Sequence, residues 1–208
     1  MTAQARSQLR QQLRAARHRL THQQRQHAAT QLLEQARHSR LFQQSRHIAV
    51  YLPNDGEIDL RPLIDYAWQQ GKHCYLPIVG HRHTHRLWFV PFTTDTVLEQ
   101  NRYGIPEPRH HKRARGFPLR RLDLVLMPLV GFDTQGNRLG MGGGYYDRSF
   151  AFLHRHSHWR KPRLMGTAYD FQHQPGLEAQ PWDVPLDAVV TDAALYEFNH
   201  QVHHAPAT

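Results

Sequence analysis

The spacing of apolar residues changes several times along the chain, and each change predicts an element. Leu9, Leu13 and Leu20 fall on one stripe at about 100° per residue, the signature of an amphipathic first helix. Thr21 and Gln24 have the spacing of a capping box and open a second helix. Its apolar face is Ala28, Ala29, Leu32, Leu33 and Ala36. Residues 47–52 (HIAVYL) read as a strand, and Pro53, Asn54, Asp55 and Gly56 as a turn. Asp59 then caps a helix carrying Leu63, Ile64 and Ala67, which Gly71 stops. Residues 74–79 (CYLPIV) form the next strand, completing a β-α-β unit and predicting a parallel pair. Residues 87–92 and 122–127 follow as strands, the second apolar enough to be central. Residues 164–169 and 188–191 are shorter candidates, and a helix can start within the glycine-rich residues 140–146. The sum is an α/β fold: a mixed, mainly parallel sheet flanked by helices, in a single domain over residues 1–199. An N-terminal helical hairpin (residues 1–40) packs on it. Residues 110–121 read as a basic loop and residues 200–208 as a disordered tail.

Composition narrows the class. The chain is 39% hydrophobic with 13 glycines, inside the globular range, so wholesale disorder is excluded. Mean hydropathy is −0.70, and no run approaches the roughly 20 apolar residues of a membrane-spanning helix. One cysteine, Cys74, excludes an intrachain disulfide and a multi-cysteine zinc site. This fits a reducing compartment, and a cytoplasmic location is expected. Charge is the first positive clue: 26 Lys and Arg against 17 Asp and Glu give +9. So basic a chain attracts anions, whether nucleic acid, nucleotide or an anionic small molecule. Residues 1–33 hold no acid but carry Arg6, Arg10, Arg14, Arg17, Arg19 and Arg25. Arg6, Arg10 and Arg17 lie beside the leucine stripe. They face a ligand, form a solvated face, or belong to a mitochondrial targeting segment.

The densest chemistry lies in Arg138-Leu139-Gly140-Met141-Gly142-Gly143-Gly144-Tyr145-Tyr146-Asp147-Arg148. Four glycines in five positions carry a large entropic cost. That cost is reasonable where backbone N–H groups must approach a phosphate closely; the bland alternative is a mobile surface loop. Arg138 and Arg148 bracket the loop, and Asp147 is placed to hold a cation. No Lys-Ser/Thr follows the glycines, so it is not a P-loop. A dinucleotide fingerprint would need a third glycine at Tyr145. No kinase motif and no G-x-S-x-G elbow occurs. His81, His83 and His85 alternate, as do His154, His156 and His158; both sets read as polar surface, with incidental metal binding as the sharper option.

The string RLGMGGGYYDR resembles the signature of the 5-formyltetrahydrofolate cyclo-ligase family. The resemblance extends over residues 6–192. It includes Arg6 with Arg10, YLPNDGEID, LPIV, YGIPEP, LVLMPLVGFDTQGNRLG and WDVPLDAVVTD. What it implies is ATP- and Mg²⁺-dependent ring closure of 5-formyltetrahydrofolate to 5,10-methenyltetrahydrofolate, with release of ADP and phosphate. By the same resemblance, ATP falls to Arg6, Ser7, Gln8, Leu9 and Arg10 and to the run Arg138, Leu139, Gly140, Met141, Gly142, Gly143, Gly144, Tyr145 and Tyr146. Arg6 stands where relatives often have Lys, which keeps the charge and changes the donor geometry. The folate falls to Leu52, Glu57, Tyr103 and the loop from Met141 to Tyr145. Catalytic roles fall to Arg148 and Tyr145, and Mg²⁺ to Asp147 and Asp183. Glu57 is alternatively an exposed turn acid, Tyr103 a core tyrosine, and Asp183 a turn residue binding local N–H groups. A monomer is expected, acting on small molecules (the folate polyglutamylated or not) and not on membranes. The competing readings are a basic nucleic-acid-binding module, for which no known motif is present, and another ATP-dependent ligase or kinase on the same scaffold.

Overall fold

A computed structural model describes residues 1–79, 85–101, 104–109, 116–155 and 161–198. The predicted tail lies outside these residues, as do residues 110–115 of the basic segment. The chain begins with α1 (Ala3–Arg19), α2 (His22–His38) and α3 (Arg40–Gln44). The Thr21 capping box forms as the spacing predicts, with Thr21 Oγ1 accepting from Gln24 N and Gln24 Oε1 from Thr21 N. Next come β1 (His47–Ala49), α4 (Arg61–Gln69), β2 (His73–Val79) and β3 (Leu87–Phe92). A small hairpin, β4 (Leu98–Gln100) with β5 (Pro106–Pro108), precedes β6 (Leu124–Pro128). A second hairpin, β7 (Gly131–Phe132) with β8 (Arg138–Leu139), leads to α5 (Tyr145–Phe150) and α6 (Phe152–Arg155). The final strands are β9 (Arg163–Thr167), β10 (Ala188–Val190) and β11 (Leu195–Glu197).

Among the described residues the main sheet has the order β11-β10-β9-β6-β1-β2-β3. The β1–β2, β1–β6, β6–β9 and β9–β10 pairs are parallel, while β2–β3 and β10–β11 are antiparallel. The predicted mixed, mainly parallel sheet is therefore present. Alternation along each central strand builds a core on both faces. Ile48, Leu124, Leu126 and Met165 pack under α2 and α4, with Leu32, Leu63 and Ile64. Ala49, Val125, Met127 and Leu164 pack on the other face with Phe89, Phe132 and Phe150. Helix α1 has its own small cluster, in which Leu9 and Leu13 meet Val130, Leu139 and Leu177.

The order of the strands locates a crevice. Strand β1 lies between β2, which follows it, and β6, which comes much later. The carboxyl ends of β1 and β6 therefore meet at a topological switch point, the usual position of a ligand in such sheets. Strand β1 is shorter than predicted, because residues 50–52 leave the ladder toward the turn at Pro53. Val50 N still donates to Tyr75 O at 2.8 Å, and the departure carries Tyr51 and Leu52 into the crevice.

Candidate functional site

A cavity of about 820 Å³ opens at this switch point. That is near the upper end of the ~300–1,000 Å³ usual for ligand sites. Tyr51 and Leu52 after β1, Val79 ending β2 and Pro128 ending β6 form its floor. Helix α1, the glycine-rich loop, the β4–β5 hairpin and residues 180–183 form the walls.

Helix α1 turns Arg6 and Arg10, one turn apart, toward the cavity. Arg10 Nε donates to Gly140 O at 2.8 Å. Arg6 Nη1 donates to Glu178 O at 2.6 Å, and its Nη2 lies 3.6 Å from Asp183 Oδ2. Burial, and then the charge of Arg6, pull the Arg10 pKa down, with Asp183 opposing. The pair is thus a site of incompletely neutralised positive charge.

The glycine loop hangs from the β7–β8 hairpin. Asp133, 2% exposed, fixes that hairpin by accepting from Gln135 N, Asn137 N, Asn137 Nδ2 and Leu177 N at 2.8–3.0 Å. Gly142 and Gly144 take φ of +96° and +61°, a region that side chains strain to enter. A Cβ added at Gly140 or Gly142 would meet no protein atom within 4 Å, so packing does not dictate those glycines. The loop leaves open space lined by main chain, which is the form of an anion cradle. Arg138, nearly buried, pairs with Asp147. Asp147 Oδ1 also accepts from Val184 N at 3.2 Å, one residue from Asp183. Asp183 Oδ2 accepts from Gln180 N at 3.0 Å, the local turn bond anticipated as its alternative role. Both carboxylates nevertheless line the cavity, each facing an arginine.

Glu57 enters from the turn after β1. Asn54 N donates to its Oε2 at 3.1 Å, and the carboxyl makes no ion pair among the described residues. Burial pushes its pKa up to about 7; the Asn54 bond and the charge of Arg17 only partly oppose this. Tyr51 and Tyr146 line the same cavity, and burial raises both phenols, with Glu57 adding to the shift.

The structure thus gathers Arg6, Arg10, Leu52, Glu57, Arg138, Gly140 to Gly144, Tyr145, Tyr146, Asp147 and Asp183 around one cavity. Ser7 and Gln8 sit exposed on α1, outside the lining. Leu9 and Leu139 pack behind the site in the α1 cluster. Arg148 is exposed and braces the loop from outside, donating to Gly143 O and, at 3.3 Å, to His85 O. Tyr103 lies outside the described residues, as do His81, His83, His156 and His158. No group of three or more metal-ligating side chains occurs among the described residues, so a cation there would rest on the two aspartates with outside oxygens. Sequence reasoning missed Asn101, Ile105 and Pro106 as separate wall residues and Trp182, 64% exposed beside Asp183. It also missed Asp55, which joins two arginines and a histidine of α1. Arg14 Nε and Arg17 Nη2 each donate to its Oδ2 at 2.7 Å, and His18 Nε2 lies 3.0 Å from its Oδ1. The Asp55-Gly56 pair was the only signal, since both residues take positive φ, +53° and +72°, as the centre of a tight turn.

Residues 2–192 match the 5-formyltetrahydrofolate cyclo-ligase family. The 5-formyltetrahydrofolate cyclo-ligase of Escherichia coli K12 is 38% identical over 186 residues, covering 89% of this chain and 100% of that protein. The Haemophilus influenzae protein of the same name is 38% identical over 188 residues, covering 89% and 97%. Among solved structures, the Aquifex aeolicus 5,10-methenyltetrahydrofolate synthetase superposes with a TM-score of 0.76 at 28% identity, over 96% of this chain and 99% of that one.

Proposed function

This chain belongs to the 5-formyltetrahydrofolate cyclo-ligase family, an enzyme family, and on that premise we propose that it converts 5-formyltetrahydrofolate and ATP to 5,10-methenyltetrahydrofolate, ADP and phosphate with Mg²⁺. The chemical obstacle is the formyl oxygen, a very poor leaving group. In this reading it attacks the γ-phosphorus of ATP and ADP departs, leaving a formyl carbon activated as an imidate phosphate. N10 of the folate then adds to that carbon, its proton is lost, and phosphate leaves. Such transfer depends mostly on positioning and charge neutralisation.

Arg6, Arg10 and Arg138 would neutralise the triphosphate, and the main chain of Gly140 to Gly144 would hold its oxygens. Asp147 and Asp183 suit Mg²⁺, which takes one or two carboxylates and completes six ligands with phosphate oxygens and water. When bound, that cation supplies charge neutralisation between phosphate oxygens. Leu9 and Leu139 support the site from behind, and Arg148 stiffens the loop that carries Tyr145. Glu57, ionised, would accept from the 2-amino group and the adjacent ring N–H of the pterin, a paired donor edge that two carboxylate oxygens match. Leu52 and Tyr145 would flank the flat ring.

One observation carries the reading: a single cavity joins a cationic wall, a glycine cradle and two carboxylates with one carboxyl that has no ion pair among the described residues. Incubation with 5-formyltetrahydrofolate and Mg-ATP, followed through the conjugated chromophore of the methenyl product, tests it. Product is expected only when nucleotide and divalent cation are both present. Full turnover in a nucleotide-free, chelated sample, or no product at all, overturns it.

A further inference from the structure

Glu57 and Arg17 are of opposite charge and close together, yet they are not paired with each other. Arg17 is 1% exposed, and its charge is near enough to draw the Glu57 pKa down against burial. A Cβ added at Gly56, the residue before Glu57, would stand 3.3 Å from Arg17 Cβ. Arg17 Nε has no partner among the described residues, and its Nη1 reaches Leu129 O only at 3.3 Å. A buried guanidinium this poorly satisfied seeks a carboxylate. What holds it is Asp55, 2.7 Å from Nη2. Asp55 takes Arg14 and His18 as well, and the hydrogen bond from Arg14, then that from His18, hold its carboxyl well below the usual carboxylate range. Two adjacent left-handed residues, Asp55 and Gly56, turn the chain so that Asp55 faces α1 and Glu57 faces the cavity.

We propose that Asp55 is a positioning residue that keeps Arg17 off Glu57, so that the Glu57 carboxyl stays open to a ligand instead of closing into an internal ion pair. The identity of that ligand as a pterin ring rests on the proposed function; the positioning itself does not.

Asp55→Asn tests this with little disturbance of the turn, because Asn also tolerates the left-handed region. With the Asp55 charge gone, Arg17 turns to Glu57. Arg17→Met then removes the competitor, and apolar replacement of a buried ion pair is commonly tolerated. Two readouts are needed. The titration of the Glu57 side-chain carboxyl carbon by NMR in the free protein reads capture directly. The groups facing that carboxyl are Arg17 from α1, Asp55 in its own turn, Tyr51 and Tyr146. The expected midpoint is near 7 in the unaltered protein. It should fall by about one unit or more in Asp55→Asn and return upward in Asp55→Asn/Arg17→Met. In turnover, Asp55→Asn should raise the folate KM by about tenfold or more with the ATP KM nearly unchanged, and the double variant should recover most of the loss. An unchanged midpoint and folate KM in Asp55→Asn overturns the proposal. So does a double variant no better than the single one, or an equal loss for both substrates with a lowered melting temperature, since Asp55 would then only support the fold. If the unaltered protein makes no methenyl product while the Glu57 midpoints follow the expected pattern, the positioning stands and the substrate reading falls.

Discussion

Single side chains in this site are set by what is missing around them as much as by what is present. Arg10 has a carbonyl partner, Gly140 O, and a like charge one turn away, so a polyphosphate is the natural completion of its environment. Arg10→Ala is expected to weaken ATP binding by about 1.5–3 kcal/mol, the worth of a charge-assisted hydrogen bond, with much less effect on folate. Titration calorimetry with each ligand measures the split, and unchanged nucleotide affinity would return Arg10 to a structural role. Glu57 makes a pH prediction. Its pKa is raised to about 7, against an ordinary 4.5, so the free carboxyl is protonated below neutrality and offers only a mixed edge. Folate KM should therefore rise about tenfold per pH unit as pH falls below ~7, and Glu57→Gln should flatten that limb. Stability moves in the opposite sense. Between pH ~4.5 and ~7 the folded chain holds a proton that the unfolded chain has lost, so the stabilising contribution of Glu57, complete below ~4.5, declines as pH rises through ~7. Denaturant titrations of the two proteins across that window should show the slope in one and not in the other. The family resemblance made Glu57 legible as a candidate, but its lack of an ion pair among the described residues depends on Asp55, Arg17 and the fold between them.

At the level of elements, apolar runs and their periods were sufficient wherever local pattern and burial agree. The capping box at Thr21, the β-α-β unit and the central position of β6 follow that rule. Departures occur where tertiary demands intervene. Strand β1 stops at Ala49 so that Tyr51 and Leu52 can reach the cavity. The β7–β8 hairpin has strands of two residues, too short for any period, and depends on the Asp133 hydrogen bonds. The cluster of Arg14, Arg17 and His18 on Asp55 joins residues 37 to 41 positions apart, which no local pattern encodes. Strand β9 has a comparable hidden constraint at Gly166. A Cβ there would lie 2.5 Å from Leu129 Cδ2 and 2.9 Å from both Leu186 Cδ1 and Val189 Cγ2. Gly166→Ala is therefore expected to destabilise the fold by roughly 1–3 kcal/mol through overpacking, despite the better backbone propensity of Ala. Urea unfolding measures it, and a stabilised variant would contradict the close packing of Leu129, Leu186 and Val189 on β9.

For the whole molecule, net charge left open whether the partner is a nucleic acid or a small anion. Much of the positive charge near the cavity is committed internally: Arg14 and Arg17 to Asp55, Arg6 to Asp183 and to the main-chain carbonyl of Glu178, Arg138 to Asp147. Cations arranged inward in this way suit a compact anion better than a phosphate backbone, which needs an exposed stripe. Mg-ATP is accordingly expected to raise the melting temperature, by the equivalent of about 2.7 kcal/mol at a hundredfold excess over Kd, and chelation should remove most of the shift. Asp147→Asn and Asp183→Asn should each fold and require more Mg²⁺ for the same shift. A melting point indifferent to Mg-ATP, with tight retention on heparin, would favour the nucleic-acid reading instead. The fold class was readable from alternation and period alone. The site was readable only as scattered motifs, because its walls come from positions as far apart as Arg6 and Asp183.

Helix α1 fully buries only Leu13 and Arg17, packs Leu9 into the same small apolar cluster, and is otherwise tied down by polar contacts. Its apolar cluster is small, so it is expected to open as a separable unit at a free energy below that of the central strands. Its backbone amides should exchange with deuterium through these partial openings, while those of β6 and β9 wait for global unfolding. A nucleotide held between α1 and the glycine loop would stitch the two together, lengthening amide lifetimes over Ala3–Arg19 while scarcely touching the sheet. Occupancy of the cavity thereby becomes visible as a change in the rigidity of one helix.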